Sequence, residues 1–283
     1  MILVTGATGN NGRALLPLLL AAGAPVRALT RAADAAALPP GVEAVAGDFD
    51  RPETLAPALA GVERAFLVTN STARAEAQQL AFVAAARAAG VRHVVYLSQL
   101  HAAADSPVRF LRYHAVVERA LEDSGMAYTH LRPNLYMQSL LAFHASIVAE
   151  GRFTAPAGDA RVSVVDVRDI AAVAARALTE GGHEGKTYDL TGPEALTHGE
   201  MAARIGEALG KPVAYVDVPD AAMRDAVVRF GMPAWQADGL IEDYAHYRRG
   251  EAAAVSPDVE RVTGRPARTF DAFARESAAA LSQ

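Results

Sequence analysis

The sequence runs to 283 residues, 51% of them hydrophobic with alanine prominent, at a formal net charge of -5. Such a length suits one large α/β domain or a domain with a smaller appendage, and the alanine favours helices over a β sandwich. With no cysteine, a disulfide framework, a thiolate nucleophile and a cysteine metal site are excluded, and the mild negative charge speaks against a nucleic-acid face.

Ile2 to Val4 is an apolar run that reads as a buried strand. It meets Gly6, Gly9 and Gly12, and a leucine-rich helix, Ala14 to Ala22, follows and stops at Gly23. Strand, glycine turn and helix form a cradle for a pyrophosphate. Gly6 permits the tight turn, Gly9 lets backbone N–H groups approach the phosphates, and Gly12 lets helix and strand pack closely. Thr8, Asn10 and Asn11 complete the expected cradle. The spacing is G-x-x-G-x-x-G, not the G-x-G-x-x-G of most dehydrogenases, so the surrounding strand and helix carry the reading. Leu15 to Ala22 is also the only candidate targeting core. It lacks a basic stretch before it and follows a glycine turn, so a cytoplasmic chain is expected. No apolar run reaches the roughly 20 residues that span a bilayer.

Pro25 to Thr30 is the second predicted strand, and Arg31 follows it. At this place a carboxylate accepts from the ribose of NAD, whereas an arginine neutralises the 2′-phosphate of NADP. No carboxylate occurs before Asp34, so NADP is the expected form; the alternative is a surface arginine without a ligand. Val42 to Ala46 is the third strand. At its end Asp48 can accept from an adenine amino group and Phe49 can shelter the ring, while Asp50 is read as capping a helix that begins near Pro52. Ala65 to Thr69 is the fourth strand. Thr69 and Asn70 fall where a nicotinamide ribose should lie, or simply cap the helix Ala73 to Ala89.

His93 to Ser98 is the fifth strand, with Ser98 at the carboxyl edge where open parallel sheets bind ligands; the competing view is a serine that caps a loop. A helix from Pro107 to Asp123 carries Phe110, Tyr113, His114 and Glu118, and Ala127 to Leu131 is the sixth strand. Beyond Pro133 the pattern changes. Leu135 to Ala149 reads as an apolar helix and Gly151 to Gly158 as a mobile loop. Val162 to Val165 and Thr187 to Thr191 look like two more strands around the helix Val167 to Thr179. Thr197 to Leu209, Ala221 to Phe230 and Pro233 to Arg249 are predicted helices, and a short one after Pro257 precedes a last, Phe270 to Leu281. The alternation gives a doubly wound parallel Rossmann sheet with a smaller, mostly helical C-terminal region. Residues 1–134, with 162–191 returning, form the expected dinucleotide domain; 135–161 and 192–283 form the expected substrate-binding cap.

Several motifs together resemble the NmrA-like branch of the atypical short-chain dehydrogenase/reductases. They are Gly6-Ala-Thr-Gly-Asn-Asn-Gly12, Leu97-Ser98, His114-Ala-Val-Val-Glu118, Ser124-Gly-Met-Ala-Tyr-Thr-His-Leu-Arg-Pro-Asn134 and Asp189-Leu-Thr-Gly-Pro-Glu194. The branch includes quinone reductases, triphenylmethane reductases and ketoreductases that tailor aromatic polyketides. The resemblance implies NADPH binding, a place for Pro133 and Asn134 beside the nicotinamide, and a substrate pocket shaped by the C-terminal third. Ordinary short-chain dehydrogenases use a tyrosine and a lysine four residues apart as proton donor. Here the two lysines, Lys186 and Lys211, are preceded at that spacing by Gly182 and Glu207, so the pair is missing.

His114, Tyr136 and Ser98 are the candidates to replace it. His114 could donate a proton, or else hold the nicotinamide ribose or pack on its helix. Tyr113 is expected to face elsewhere, about 100° round the helix from His114. Tyr136 could reach the pocket or be a core aromatic. Ser98 can hydrogen-bond a substrate carbonyl but is a poor acid, so solvent or the substrate's own phenol remains a source. No metal site is expected, since the eight histidines lack ligand spacing. Asp166 and Asp169 are explained by a helix N-terminus. The expected activity is NADPH-dependent reduction of an aromatic ketone or quinone by a monomer or homodimer; a non-catalytic NADP(H)-sensing regulator is the alternative.

Overall fold

The computed structural model describes residues 1–31 and 37–281; Asp34 lies outside them. The first compact unit comprises Met1–Ser106, Phe110–Arg132 and Val167–Asp189. Its strands are β1 (Ile2–Val4), β2 (Val26–Thr30), β3 (Glu43–Ala46), β4 (Arg64–Leu67), β5 (His93–Leu97), β6 (Ala127–Pro133) and β8 (Lys186–Leu190), in the order β3-β2-β1-β4-β5-β6-β8. The pairings from β3 through β6 are parallel. Buried runs such as Ile2–Val4 and His93–Leu97 explain this, because a parallel sheet is covered on both faces and its strands are apolar throughout. The helices that cover it are α1 (Asn10–Ala21), α2 (Leu55–Ala58), α3 (Ala75–Ala88), α4 (Arg109–Glu122) and α6 (Val167–Thr179).

Helix α1 buries Leu15, Leu16 and Leu19 and packs on α6. Helix α4 buries Phe110, Tyr113, His114, Val117, Glu118 and Leu121, a helical repeat that places a histidine and a carboxylate on the apolar stripe. Strand order reverses between β1 and β4, so the loops after these two strands diverge and open a crevice. Thr5, completely buried, ties the crevice at its base. Its hydroxyl lies 3.0 Å from the Phe66 carbonyl and 2.9 Å from that of Val68, and accepts from the Val68 amide at 2.8 Å.

The second unit comprises Pro107–Arg109, Pro133–Asp166 and Leu190–Gln283. Residues 162–166, expected with the first domain, therefore belong here. Its helices are α5 (His144–Glu150), α7 (His198–Leu209), α8 (Asp220–Arg229), α9 (Ala234–Arg248), α10 (Asp258–Thr263), α11 (Phe270–Glu276) and α12 (Ala278–Leu281). Helix α7 starts with a full capping box, Thr197 and Glu200 each bonding the other's backbone amide, a strong local stop signal for the preceding loop. Two expectations fail here. The stretch read as a mobile loop contains β7 (Arg152–Ala155), which pairs in parallel with β9 (Ala214–Asp217), a strand missed from sequence. Phe153 and Ala155 are buried while Arg152 is exposed, so the two-residue period was present but hidden between glycines. Val162 to Val165 is no regular strand. It makes isolated bridges, Val162 to Leu196 and Val165 to Tyr136.

Buried histidines lower the acid stability of the fold. Burial pushes His93 and His198 down to about 4 and His114 to about 3, and it pushes His130 below its ordinary value too. The unfolded chain takes up protons on these rings below their ordinary value of about 6.5, whereas the folded chain refuses them. Stability is therefore fully present above that value and is lost as pH falls toward 4. Thermal melts are expected to be level from pH 8 to 7 and to drop steadily below 6.5; a midpoint unchanged down to pH 4.5 would refute the assignment.

Candidate functional site

A cleft of about 390 Å³ opens at the carboxyl ends of β1 to β4. Among the expected cofactor residues, Gly6, Thr8, Gly9, Asn11, Arg31, Asp48, Phe49, Thr69 and Asn70 line it. Asn10, Gly12, Pro133 and Asn134 do not. Gly6 adopts φ of 57°, a conformation that favours glycine, and a Cβ there would stand 2.6 Å from Val68 Cγ1. Gly12 is buried, and a Cβ on it would fall 2.4 Å from the Gly6 carbonyl oxygen and 2.5 Å from Ala7 Cα. Helix α1 thus begins in direct contact with the turn, earlier than the expected Ala14. Its N-cap is Gly9, without a side-chain cap, and its first turn carries no acidic residue. First-turn amides have no partner within a helix, and the dipole adds positive potential there.

Farther along the cleft, Arg31 is exposed at the end of β2 and Phe49 is half-buried, tilted against Phe82 at 5.9 Å between ring centres. Asp48 uses one carboxylate oxygen to accept from the Asp50 amide at 2.8 Å. Asp50 does not cap the helix near Pro52: the residue in that position is Arg51, and no side chain caps it. Asp50 instead meets Arg74 and Gln78 at the start of α3, because a carboxylate finds more in a charged partner than in a three-residue turn.

Of the replacement acids, Ser98 lies just past β5, 4% exposed, with its amide bonded to the Leu131 carbonyl and its hydroxyl without a hydrogen-bond partner. His114 is a correction. Its Nδ1 is 2.6 Å from the Tyr96 hydroxyl, and burial holds its pKa at about 3, so the ring is neutral at physiological pH and carries no acid proton to give. Tyr113, expected to face elsewhere, is buried beside His114 and its hydroxyl meets Ser71 at 3.0 Å, one residue beyond the cleft residue Asn70. Tyr136 belongs to the second unit, where its backbone bridges Val165.

Asn134 is engaged within the second unit. Its side chain donates to Ser163 Oγ and the Ala252 carbonyl, both at 2.8 Å, and accepts from the Leu135 amide. Both of its amide protons are thus committed to neighbours in the second unit. Sequence reading also missed Thr5, Gln79, Tyr96 and the Glu118–Arg132 pair. Arg132 on β6 donates through Nε at 2.9 Å and Nη2 at 2.5 Å to the Glu118 carboxylate, 4% exposed. The signal existed, since a carboxylate on the apolar stripe of α4 requires a cationic partner.

A parallel sheet with a glycine-built cleft at its order reversal defines a Rossmann-type dinucleotide-binding protein. The chain belongs to the NmrA-like family, whose model matches residues 1–270. It is 43% identical to the NAD(P)H azoreductase of Xenophilus azovorans, over 99% of both chains. It is 40% identical to the (4-alkanoyl-5-oxo-2,5-dihydrofuran-3-yl)methyl phosphate reductase of Streptomyces griseus, over 100% of this chain and 99% of the other. The crystal structure of the Escherichia coli quinone oxidoreductase QOR2 complexed with NADPH superposes with a TM-score of 0.88 at 33% identity, covering 98% of this chain and 99% of that one. Among the described residues, no helix is long and apolar enough to cross a membrane.

Proposed function

We propose that the protein is an NADPH-dependent reductase that delivers hydride to a quinone or aromatic ketone, with the first unit as the cofactor domain and the second as the substrate domain. The relatives support a NAD(P)H-dependent oxidoreductase, each being named for a reduction, and they weigh against the regulator. The cleft fits the cofactor: its glycines hold the space a Cβ would fill, α1 offers uncapped amides to the pyrophosphate, and Arg31 stands where a 2′-phosphate falls. NADPH, when bound, supplies the hydride. The protein holds it and orients it, and in this reading Ser98, whose hydroxyl has no partner within the protein, donates to the substrate oxygen.

The observation that selects the substrate class is the lack of an acid. No Tyr-x-x-x-Lys pair exists, His114 is held neutral, and burial raises Tyr96 well above 10. For an aromatic ketone, solvent or a phenol of the substrate itself supplies the proton to the alkoxide. A quinone spreads the incoming charge into a phenolate, and such a group, with a pKa of about 10, takes its proton from water. A cytoplasmic setting and a monomer or homodimer complete the proposal.

NADPH oxidation should be followed against quinones, polycyclic ketones and azo dyes; failure on all of them sinks the reading. With the best acceptor, Ser98→Ala is expected to lower kcat about tenfold, roughly 1.4 kcal/mol. The rate should also stay level from about pH 6 to 8, because no histidine acts as the acid. A Ser98→Ala variant with wild-type kcat would remove the serine from the mechanism.

A further inference from the structure

Behind the cleft, four side chains of the first unit join end to end. Gln79 Nε2 donates to Thr69 Oγ1 at 2.7 Å, the Tyr96 hydroxyl donates to Gln79 Oε1 at 2.6 Å, and His114 Nδ1 stands 2.6 Å from the Tyr96 oxygen. Gln79, Tyr96 and His114 are 1%, 0% and 7% exposed, so water does not scramble the arrangement. Thr69 alone reaches the cleft wall.

The orientation of the Gln79 amide, Nε2 toward Thr69 and Oε1 toward Tyr96, sets the direction. Tyr96 has one hydroxyl proton, and it goes to Gln79. Its oxygen must then accept from His114, which places the imidazole proton on Nδ1 and leaves Nε2 bare. Thr69 accepts from Gln79, so its own proton points away from the string. We propose that His114, Tyr96 and Gln79 form a one-directional string that fixes the Thr69 hydroxyl as a donor into the cleft, toward an oxygen of the bound dinucleotide. The inference rests on the cleft being the NADP(H) site. The reversed string, with the Gln79 amide turned over, would aim the Thr69 proton inward and offer only a lone pair to a ligand rich in acceptor oxygens. Each bond in such a chain polarises the next, so a good acceptor at Thr69 strengthens the link at His114. The three buried side chains are positioning residues; Thr69 is the contact.

The test reads the tautomer of His114 from ring nitrogen shifts of ¹⁵N-labelled full-length protein, with His114→Gln identifying the signals. The expected result is Nδ1 protonated and Nε2 bare, constant from about pH 6 to 8, with a shift when NADPH is added. Thr69→Val and Tyr96→Phe should each weaken NADPH about fivefold, the scale of one neutral hydrogen bond. Thr69→Ser should retain wild-type affinity. A proton on Nε2 would overturn the proposal. So would wild-type NADPH affinity in Thr69→Val, or in Tyr96→Phe while Thr69→Val is weak. Should Tyr96→Phe fail to fold, the tautomer and the two Thr69 variants still decide. Wild-type protein that binds neither NADPH nor NADH would instead remove the cleft assignment itself.

Discussion

Gly12→Ala is expected to abolish NADPH binding at micromolar cofactor and to cost about 1 to 3 kcal/mol of stability, the range for overpacking a tight contact. The added methyl would meet Gly6 O at 2.4 Å, Ala7 Cα at 2.5 Å and Ala7 C at 2.6 Å. All three are backbone atoms of the turn itself, so no side chain can rotate out of the way. Either α1 slides outward, loosening Leu15, Leu16 and Leu19, or the turn opens; both move the helix amides off the phosphates. Gly9→Ala is the control. Its Cβ would lie 3.3 Å from Gly6 O, and its φ of -80° suits any residue, so its melting midpoint should stay close to that of the parent. Fluorescence titration with NADPH and a thermal melt separate the two. A Gly12→Ala protein with parental affinity would show that the turn does not hold the pyrophosphate.

Arg31→Asp is expected to weaken NADPH by roughly 1.5 to 3 kcal/mol, and by more once repulsion is added, while NADH binding changes little. Arg31 lines the cleft at the carboxyl end of β2 and is exposed. A 2′-phosphate there exchanges a charge-assisted pair for a carboxylate of like sign. The free ribose hydroxyl of NADH meets a hydrogen-bond acceptor instead. The ratio of the two dissociation constants, measured at fixed ionic strength, is the readout, because exposed charge contacts are screened by salt. Equal losses for both cofactors would place the ribose elsewhere.

The first unit was legible because its signals are local. Ile2–Val4, the glycines and the leucines of α1 lie within one short span, and strand and helix periods announce the rest. Nine of the expected cofactor residues line one cleft for the same reason: they follow strands that could be recognised, or open the helix after the first of them. What sequence did not disclose depends on pairing across distance. Asn134 looked available because the partners that engage it, Ser163 and Ala252, come later in the chain. His114 looked like an acid because burial, which lowers its pKa, is a tertiary property. Tyr113 looked misdirected because helix geometry gives an angle and not the position of the loop at Ser71. Strand β9 is only four residues long and none of them is deeply buried, so too short a stretch of pattern was there to reveal it.

The position of β8 in the sheet bears on how the chain is made. Strand β6 ends at Pro133, yet its outer neighbour β8 begins only at Lys186. At a ribosomal rate of about 5 to 20 residues per second, that interval lasts several seconds. Throughout it the nascent protein presents an unpaired strand edge, with Thr129, His130 and Leu131 among the residues that end up buried. Such an edge is a template for another chain. Chaperone co-expression is then expected to raise the yield of active protein without changing its melting midpoint.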